Sequence, residues 1–247
     1  MSNRQRLLIT RPTDDAEPLT RLLRGMGFEC LVEPMLTIVH EPGPAPDLTG
    51  VQALLMTSAN GARAFASRSS ERRLPVLAVG NATAQAARQA GFAQVDSAGG
   101  DVDDLSRLVR ARLDPVAGVL LHVAGSRVAG DLATQLADAG FAYRREALYR
   151  AETAQGLSAA TIAVMTAGII HGVLFFSPRT AATFVRLLDK AGVMAMVARM
   201  DAFCLSPAVA EATRPAPWRR SMVAERPDQD SLLLTVQAAV SDEPARR

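Results

Sequence analysis

The chain repeats itself, and the repeat limits its fold more than any other feature. Leu7-Leu8-Ile9-Thr10, a helical stretch stopped at Gly27-Phe28 and an extended stretch to Leu36 resemble Val119-Leu120-Leu121-His122, a helical stretch stopped at Gly140-Phe141 and an extended stretch to Tyr149. The glycines lie 113 residues apart (27 to 140). Downstream, Leu54-Leu55-Met56-Thr57-Ser58 resembles Leu174-Phe175-Phe176-Ser177-Pro178, with serines 119 apart (58 to 177). A nearly constant offset means two copies of a β-α-β-β-α-β unit, the second slightly longer. In 247 residues there is room for two domains, each burying its own core.

The text within each copy sets the class. Short apolar runs (Leu7 to Ile9, Val51 to Met56, Val76 to Val79, Val116 to Leu121, Val173 to Phe176) alternate with amphipathic stretches rich in alanine, leucine and arginine. Strands covered on both faces of a parallel sheet give such runs, so the expectation is α/β, two similar lobes with parallel sheets flanked by helices. Glycines at Gly25-Met26-Gly27, Gly91 and Gly140 mark helix stops. Met35 to His40 and Ala147 to Ala151 are extended stretches at equivalent places, and Pro42 to Pro46 reads as a linker. If the two stretches pair as a two-stranded β-ladder, residues 1–34 and 153–247 form one discontinuous lobe, 41–146 an inserted lobe, and 35–40 with 147–152 the connection. A simple division in sequence near Pro115 is the open alternative.

Composition narrows function by exclusion. A net charge of +2 without basic blocks, and only 4% aromatic residues, leave no nucleic-acid footprint. Cys30 and Cys204 sit in apolar text, as reduced buried thiols do. Met1 to Leu8 has no apolar core of a signal sequence, and Ile162 to Phe176 is broken by Thr166, Gly168, His171 and Gly172, so the expectation is a cytoplasmic protein with no membrane span. His40, His122 and His171 are far apart and neither cysteine sits in a C-x-x-C, which gives no metal site. The chain carries no G-x-G-x-x-G, P-loop lysine or G-x-S-x-G, so no cofactor is expected.

What remains is a set of strand-to-helix turns: Thr10-Arg11-Pro12, Thr57-Ser58-Ala59-Asn60-Gly61, Val79-Gly80-Asn81, Gly125-Ser126-Arg127, Ser177-Pro178-Arg179 and Leu205-Ser206-Pro207. Such turns put hydroxyl or glycine residues at helix N-termini, where free N–H groups and the helix dipole favour carboxylate or phosphate. Ligands of open α/β sheets bind at these carboxyl ends of strands. Singly, each residue is better read as a helix cap. Together, six turns fit a large polyanion.

In order along nearly the whole chain, Leu8-Ile9-Thr10-Arg11-Pro12, Thr57-Ser58-Ala59-Asn60-Gly61, Ala78-Val79-Gly80 with Thr83-Ala84 and Gly91, Leu148-Tyr149-Arg150, Phe175-Phe176-Ser177-Pro178 and Val223-Ala224-Glu225-Arg226-Pro227 resemble the uroporphyrinogen-III synthase family. The resemblance implies two lobes joined by a two-stranded ladder with the active site in a cleft, and a small-molecule substrate, hydroxymethylbilane, rich in acetate and propionate carboxylates. The implied reaction is loss of water to an azafulvene, attack by the far pyrrole through a spiro intermediate, and closure with ring D inverted, in tetrapyrrole (heme) synthesis. Because the unassisted substrate closes without inversion, orientation and electrostatics are the enzyme's main tasks. One general acid is needed for the departing hydroxyl.

Tyr149 matches the family's tyrosine at the ladder and is the expected acid; packing its ring is the competing role. Thr10, Arg11, Thr57, Ser58, Ala59, Asn60, Gly80, Ser126, Arg127, Ser177, Pro178, Arg179 and Ser206 are the expected substrate contacts, with Arg63 and Arg150 as further cations. Where relatives often have glycine and threonines, the resemblance places Ser206-Pro207-Ala208-Val209 here, so any hydroxyl role at Ala208 or Val209 is lost and only backbone donors serve at those two positions. No partner other than substrate is expected, and the chain is read as a monomer. The rival reading is a non-catalytic two-lobed anion or tetrapyrrole binding module; a sugar-phosphate or nucleotide-using α/β enzyme is a third.

Overall fold

The computed structural model describes residues 5–126 and 130–241. The described residues divide into two compact units, one drawn from Met1–Thr37 and Glu152–Arg247, the other being Ile38–Ala151. The first unit contains β1 (Arg6–Ile9), α1 (Thr13–Gly25) and β2 (Glu29–Val32), and, later in the chain, α6 (Ala159–Thr166), β9 (Ile170–Phe175), α7 (Pro178–Lys190), a 3-10 turn (Met194–Arg199), β10 (Asp201–Cys204), α8 (Pro207–Thr213), β11 (Arg220–Val223) and α9 (Gln229–Ser241). The second contains β4 (Val51–Met56), α2 (Ala59–Arg68), β5 (Val76–Ala78), α3 (Asn81–Gln89), β6 (Val95–Ser97), α4 (Val102–Arg112), β7 (Val119–Gly125) and α5 (Leu132–Asp138). The division falls inside β3 (Leu36–His40) and β8 (Ala142–Thr153), which are neighbours in the second sheet. Among the described residues, no helix is long and apolar enough to cross a membrane.

The sheets are built alike. Their orders are β2-β1-β9-β10-β11 and, setting β3 aside, β8-β7-β4-β5-β6, and the strands of both shared orders pair in parallel. Each copy of the repeat therefore supplies five strands, more than the β-α-β-β-α-β unit expected from sequence, and α6 is an addition in the second copy. β1 is equivalent to β7, β2 to β8, and β9, β10 and β11 to β4, β5 and β6. Strand order reverses between β1 and β9 and between β7 and β4, the topological switch points at which such sheets take ligands.

Continuous apolar text follows from burial on both faces. Leu7, Ile9 and Leu174 pack on one side of the first sheet while Leu8, Val173 and Phe175 pack on the other. In the second sheet Leu54, Met56 and Leu121 face one cluster, and Ala53, Leu55 and Leu120 the opposite one. Each such leucine, fully buried, contributes about 2 kcal/mol. The turn chemistry is local: Asp101 and Asp104 form a reciprocal capping box that starts α4, and Gly27 and Gly140, at φ +93 and +83, turn the chain out of α1 and α5.

Three expectations need correction. Val116 is 89% exposed and belongs to the turn before β7, which begins at Val119, because Gly118 interrupts the apolar run. Cys30 is half-buried on β2, whereas Cys204 is fully buried. The third concerns register. β4 and β9 share one burial pattern and are each followed by a capping serine, which makes Leu55 equivalent to Leu174. Leu55 lies opposite His122 and Leu174 opposite Ile9, so His122 matches Ile9 and not Thr10.

Candidate functional site at the carboxyl ends of the two sheets

In the first unit the turns after β10, β9 and β1 are carried by adjacent parallel strands, so they share one end of the sheet. Ser177 caps α7, its hydroxyl accepting from the Thr180 N–H at 3.2 Å, and Pro178 occupies the first helical position, where no N–H is needed. Arg179 donates to the Thr153 hydroxyl at 3.1 Å. Arg11 lies 4.5 Å over the Phe176 ring, 3.2 Å from the Gln229 amide oxygen and 3.6 Å from Asp15. Thr10 is fully buried and donates to the Leu174 carbonyl at 2.7 Å, which clamps β1 to β9. Ser206 precedes α8 without a side-chain cap bond, while Val209 is packed in the core.

In the second unit the turns after β7, β4 and β5 are likewise adjacent. Ser58 caps α2 by accepting from the Asn60 N–H at 3.1 Å, and the Asn60 side-chain oxygen accepts from Arg63 at 2.8 Å. Ala59 is the first residue of α2, and at Gly61 a side chain would meet the Val123 carbonyl at 2.9 Å, so the helix lies directly on the β7 backbone. Gly80 is the N-cap of α3 with no side-chain cap, which leaves that helix's first N–H groups to other acceptors. The Ser126 N–H donates to the Tyr149 carbonyl at 2.8 Å, and Arg145 reaches the Gly125 and Ser126 carbonyls at 2.5 and 3.1 Å. Arg127 lies outside the described residues.

Tyr149 stands on β8 opposite Gly125, where a register shift ends the β7 ladder. Its ring lies on the glycine: a methyl group there would come within 2.9 Å of two ring carbons and 3.2 Å of the hydroxyl. Ring and turn are thus one packed unit, and the half-buried tyrosine stands at the carboxyl end of β7. Arg150, next in sequence, pairs with Glu41 at 2.9 Å.

Sequence reasoning passed over a buried polar chain directly below these turns. The Thr57 hydroxyl is 3.0 Å from His122 Nε2, and His122 Nδ1 is 2.6 Å from the Tyr143 hydroxyl. Burial, with Arg145 nearby adding to it, pulls the His122 imidazole down to about 4, so it is neutral at physiological pH. Burial also raises the Tyr143 phenol, an effect that Arg145 offsets in part. The available signal was one residue type: a histidine at a central-strand position where the other copy has an apolar side chain.

A family profile described as uroporphyrinogen-III synthase HemD matches residues 17–233. The chain belongs to the uroporphyrinogen-III synthase family. Among solved structures it resembles the uroporphyrinogen-III synthetase of Helicobacter pylori, with 15% identity over 97% of this chain and 100% of that one and a TM-score of 0.63. It also resembles a mutant uroporphyrinogen III synthase of the extremely thermophilic bacterium Thermus thermophilus, with 19% identity over 97% and 100% and a TM-score of 0.52. At such identities these two likenesses speak for the fold. No curated protein sequence matches the chain. Membership in the uroporphyrinogen-III synthase family makes the chain a ring-closing lyase of tetrapyrrole (heme) synthesis acting on a small-molecule tetrapyrrole, and the reading as a non-catalytic binding module falls away.

Proposed function

We propose that this uroporphyrinogen-III synthase closes hydroxymethylbilane with Tyr149 as the acid for the departing hydroxyl, and that the strand-to-helix turns hold the substrate's carboxylates. The seating of the Tyr149 ring on Gly125 carries this reading, because it fixes a half-buried tyrosine at the carboxyl end of β7, one of the two strands that flank the switch point of the second sheet. A tyrosine hydroxyl carries its proton to donate at neutral pH. The carboxylates are assigned to backbone N–H groups at the starts of α2, α3 and α7, where the helix dipole adds to hydrogen bonding, and to the Ser206 hydroxyl, which is not spent on a cap. Arg11 and Arg179, held by Phe176 and Thr153, supply positive charge beside the first unit's turns.

Protonation of the departing hydroxyl and loss of water leave an azafulvenium cation whose charge the pyrrole carries, so the protein's task is to orient the far ring for attack at its substituted carbon. Fixing reacting groups in one geometry accounts for a large part of such a barrier, and correct protonation of the leaving group for a further ~10²-fold or more. The enzyme is read as a cytoplasmic monomer, which suits its unpaired thiols Cys30 and Cys204 and the scatter of its exposed large apolar side chains.

Tyr149→Phe removes the hydroxyl and keeps the ring on Gly125. With hydroxymethylbilane as substrate and chromatography of the oxidised porphyrin isomers as readout, kcat for the type III isomer is expected to fall by about 10²-fold or more with the melting temperature little changed. A Phe variant with normal kcat would remove Tyr149 from the chemistry, and a change in KM alone would make its hydroxyl a binding contact.

A further inference from the structure

The chain of Thr57, His122 and Tyr143 is a departure of the second unit from its own copy. Register places Ile9 where His122 stands and Cys30 where Tyr143 stands, and Phe176 precedes its capping serine as Thr57 precedes Ser58. The fold is therefore built in the first unit without a polar chain at these places. A buried imidazole is expensive unless both nitrogens are paired, so its presence in one copy calls for a use.

The direction of the bonds supplies one. A neutral imidazole has one donor and one acceptor nitrogen. Tyrosine is the most acidic hydroxyl of the chain, and its 2.6 Å separation from Nδ1 is that of a short bond with an O–H donor. With Nδ1 accepting, Nε2 bears the ring proton and donates to the Thr57 oxygen at 3.0 Å, the ordinary N–H···O length. Thr57 then keeps its own proton for an outside acceptor. It follows β4 directly, at the switch point, and is partly exposed.

We propose that Tyr143 and His122 are positioning residues that fix the Thr57 hydroxyl as a one-way hydrogen-bond donor to a substrate carboxylate. The proposal rests on the reading of these strand ends as the substrate site. It biases the Thr57 contact toward an acceptor such as a carboxylate, because the hydroxyl proton is left for the ligand while Nε2–H takes one of the oxygen's two lone pairs.

Steady-state kinetics with hydroxymethylbilane on Thr57→Val, Tyr143→Phe and the double variant tests it. Each single change is expected to raise KM about five- to tenfold with kcat within about twofold, and the double variant to be no worse than Thr57→Val, because both remove one contact. Thr57→Ser, which keeps the hydroxyl, is expected to retain most of the affinity. If Thr57→Val raises KM and Tyr143→Phe does not, or if the two effects add, the relay is overturned while the substrate site stands. An unchanged KM in Thr57→Val overturns the site reading at this turn and the proposal with it. Nitrogen-15 chemical shifts of His122 in the unaltered protein give a readout independent of any variant: the Nε2–H tautomer is expected at neutral pH, and the Nδ1–H tautomer overturns the proposal.

Discussion

Beside the central strands the first unit carries Ile9, Phe176 and Cys30, whereas the second carries His122, Thr57 and Tyr143 at the equivalent places. The first set packs into one apolar cluster; the second forms a hydrogen-bonded chain between the core and a turn. Both sheets share one order of five parallel strands, so that order tolerates either filling. The polar one brings an imidazole whose protonation the fold resists, and with it a sensitivity to acid that the first unit lacks at these places, where burial pushes the Cys30 thiol up to about 11. Tyr149 stands at the same end of that second sheet.

The largest consequence is for stability against acid. His122 has a folded pKa of about 4 against an unfolded value near 6.5, so the unfolded chain binds the extra proton between these pH values. Stability contributed by the neutral imidazole is complete above pH ~6.5 and is lost as pH falls toward ~4, a change on the order of 3 kcal/mol. Urea denaturation at pH 7 and pH 4.5 measures it. His122→Ile, which gives the second unit the first unit's residue, is expected to flatten this dependence; an undiminished slope would assign the acid sensitivity to other groups.

An intermediate effect is expected at Gly125→Ala. The new methyl group displaces the Tyr149 ring from the β7 turn, and kcat is expected to fall about tenfold, or ~1.4 kcal/mol of barrier, with KM less affected. Normal turnover would mean that the placement of this ring is irrelevant and that the second sheet's tyrosine does not distinguish it from the first.

The smallest effect tests the first unit's side of the contrast. Thr10→Val removes the bond to the Leu174 carbonyl and leaves the core volume nearly unchanged, so thermal denaturation should show a loss of about 1 kcal/mol with kcat and KM unaltered. A raised KM would return Thr10 to the substrate site and narrow the difference between the units.

Local chemistry carried much of this protein in its sequence. Apolar runs without alternation gave parallel strands, Ser58 and Ser177 gave helix starts, and Gly27 and Gly140 gave stops, because each depends on residues only a few positions apart. Five of the six turns were found the same way; the sixth, Gly125-Ser126-Arg127, lies partly outside the described residues, and the helix after it starts at Leu132 behind an Asp131 cap. The offset between copies was read one residue short at Thr10 and His122, since apolar strand text slides without penalty until pairing fixes it.

Pairing across the chain settled the rest. β1 lies between β2 and β9, and its bond partners on β9 are more than 160 residues away; that adjacency, and not any local pattern, puts the turns after β1, β9 and β10 at one end of a sheet. The same kind of pairing buried Thr10 against Leu174, set Tyr149 on Gly125, and joined Thr57 to His122 and His122 to Tyr143. No periodicity encodes these contacts, because a hydrogen bond between distant residues follows from which strands share a sheet, and strand order is chosen by burial of the whole core.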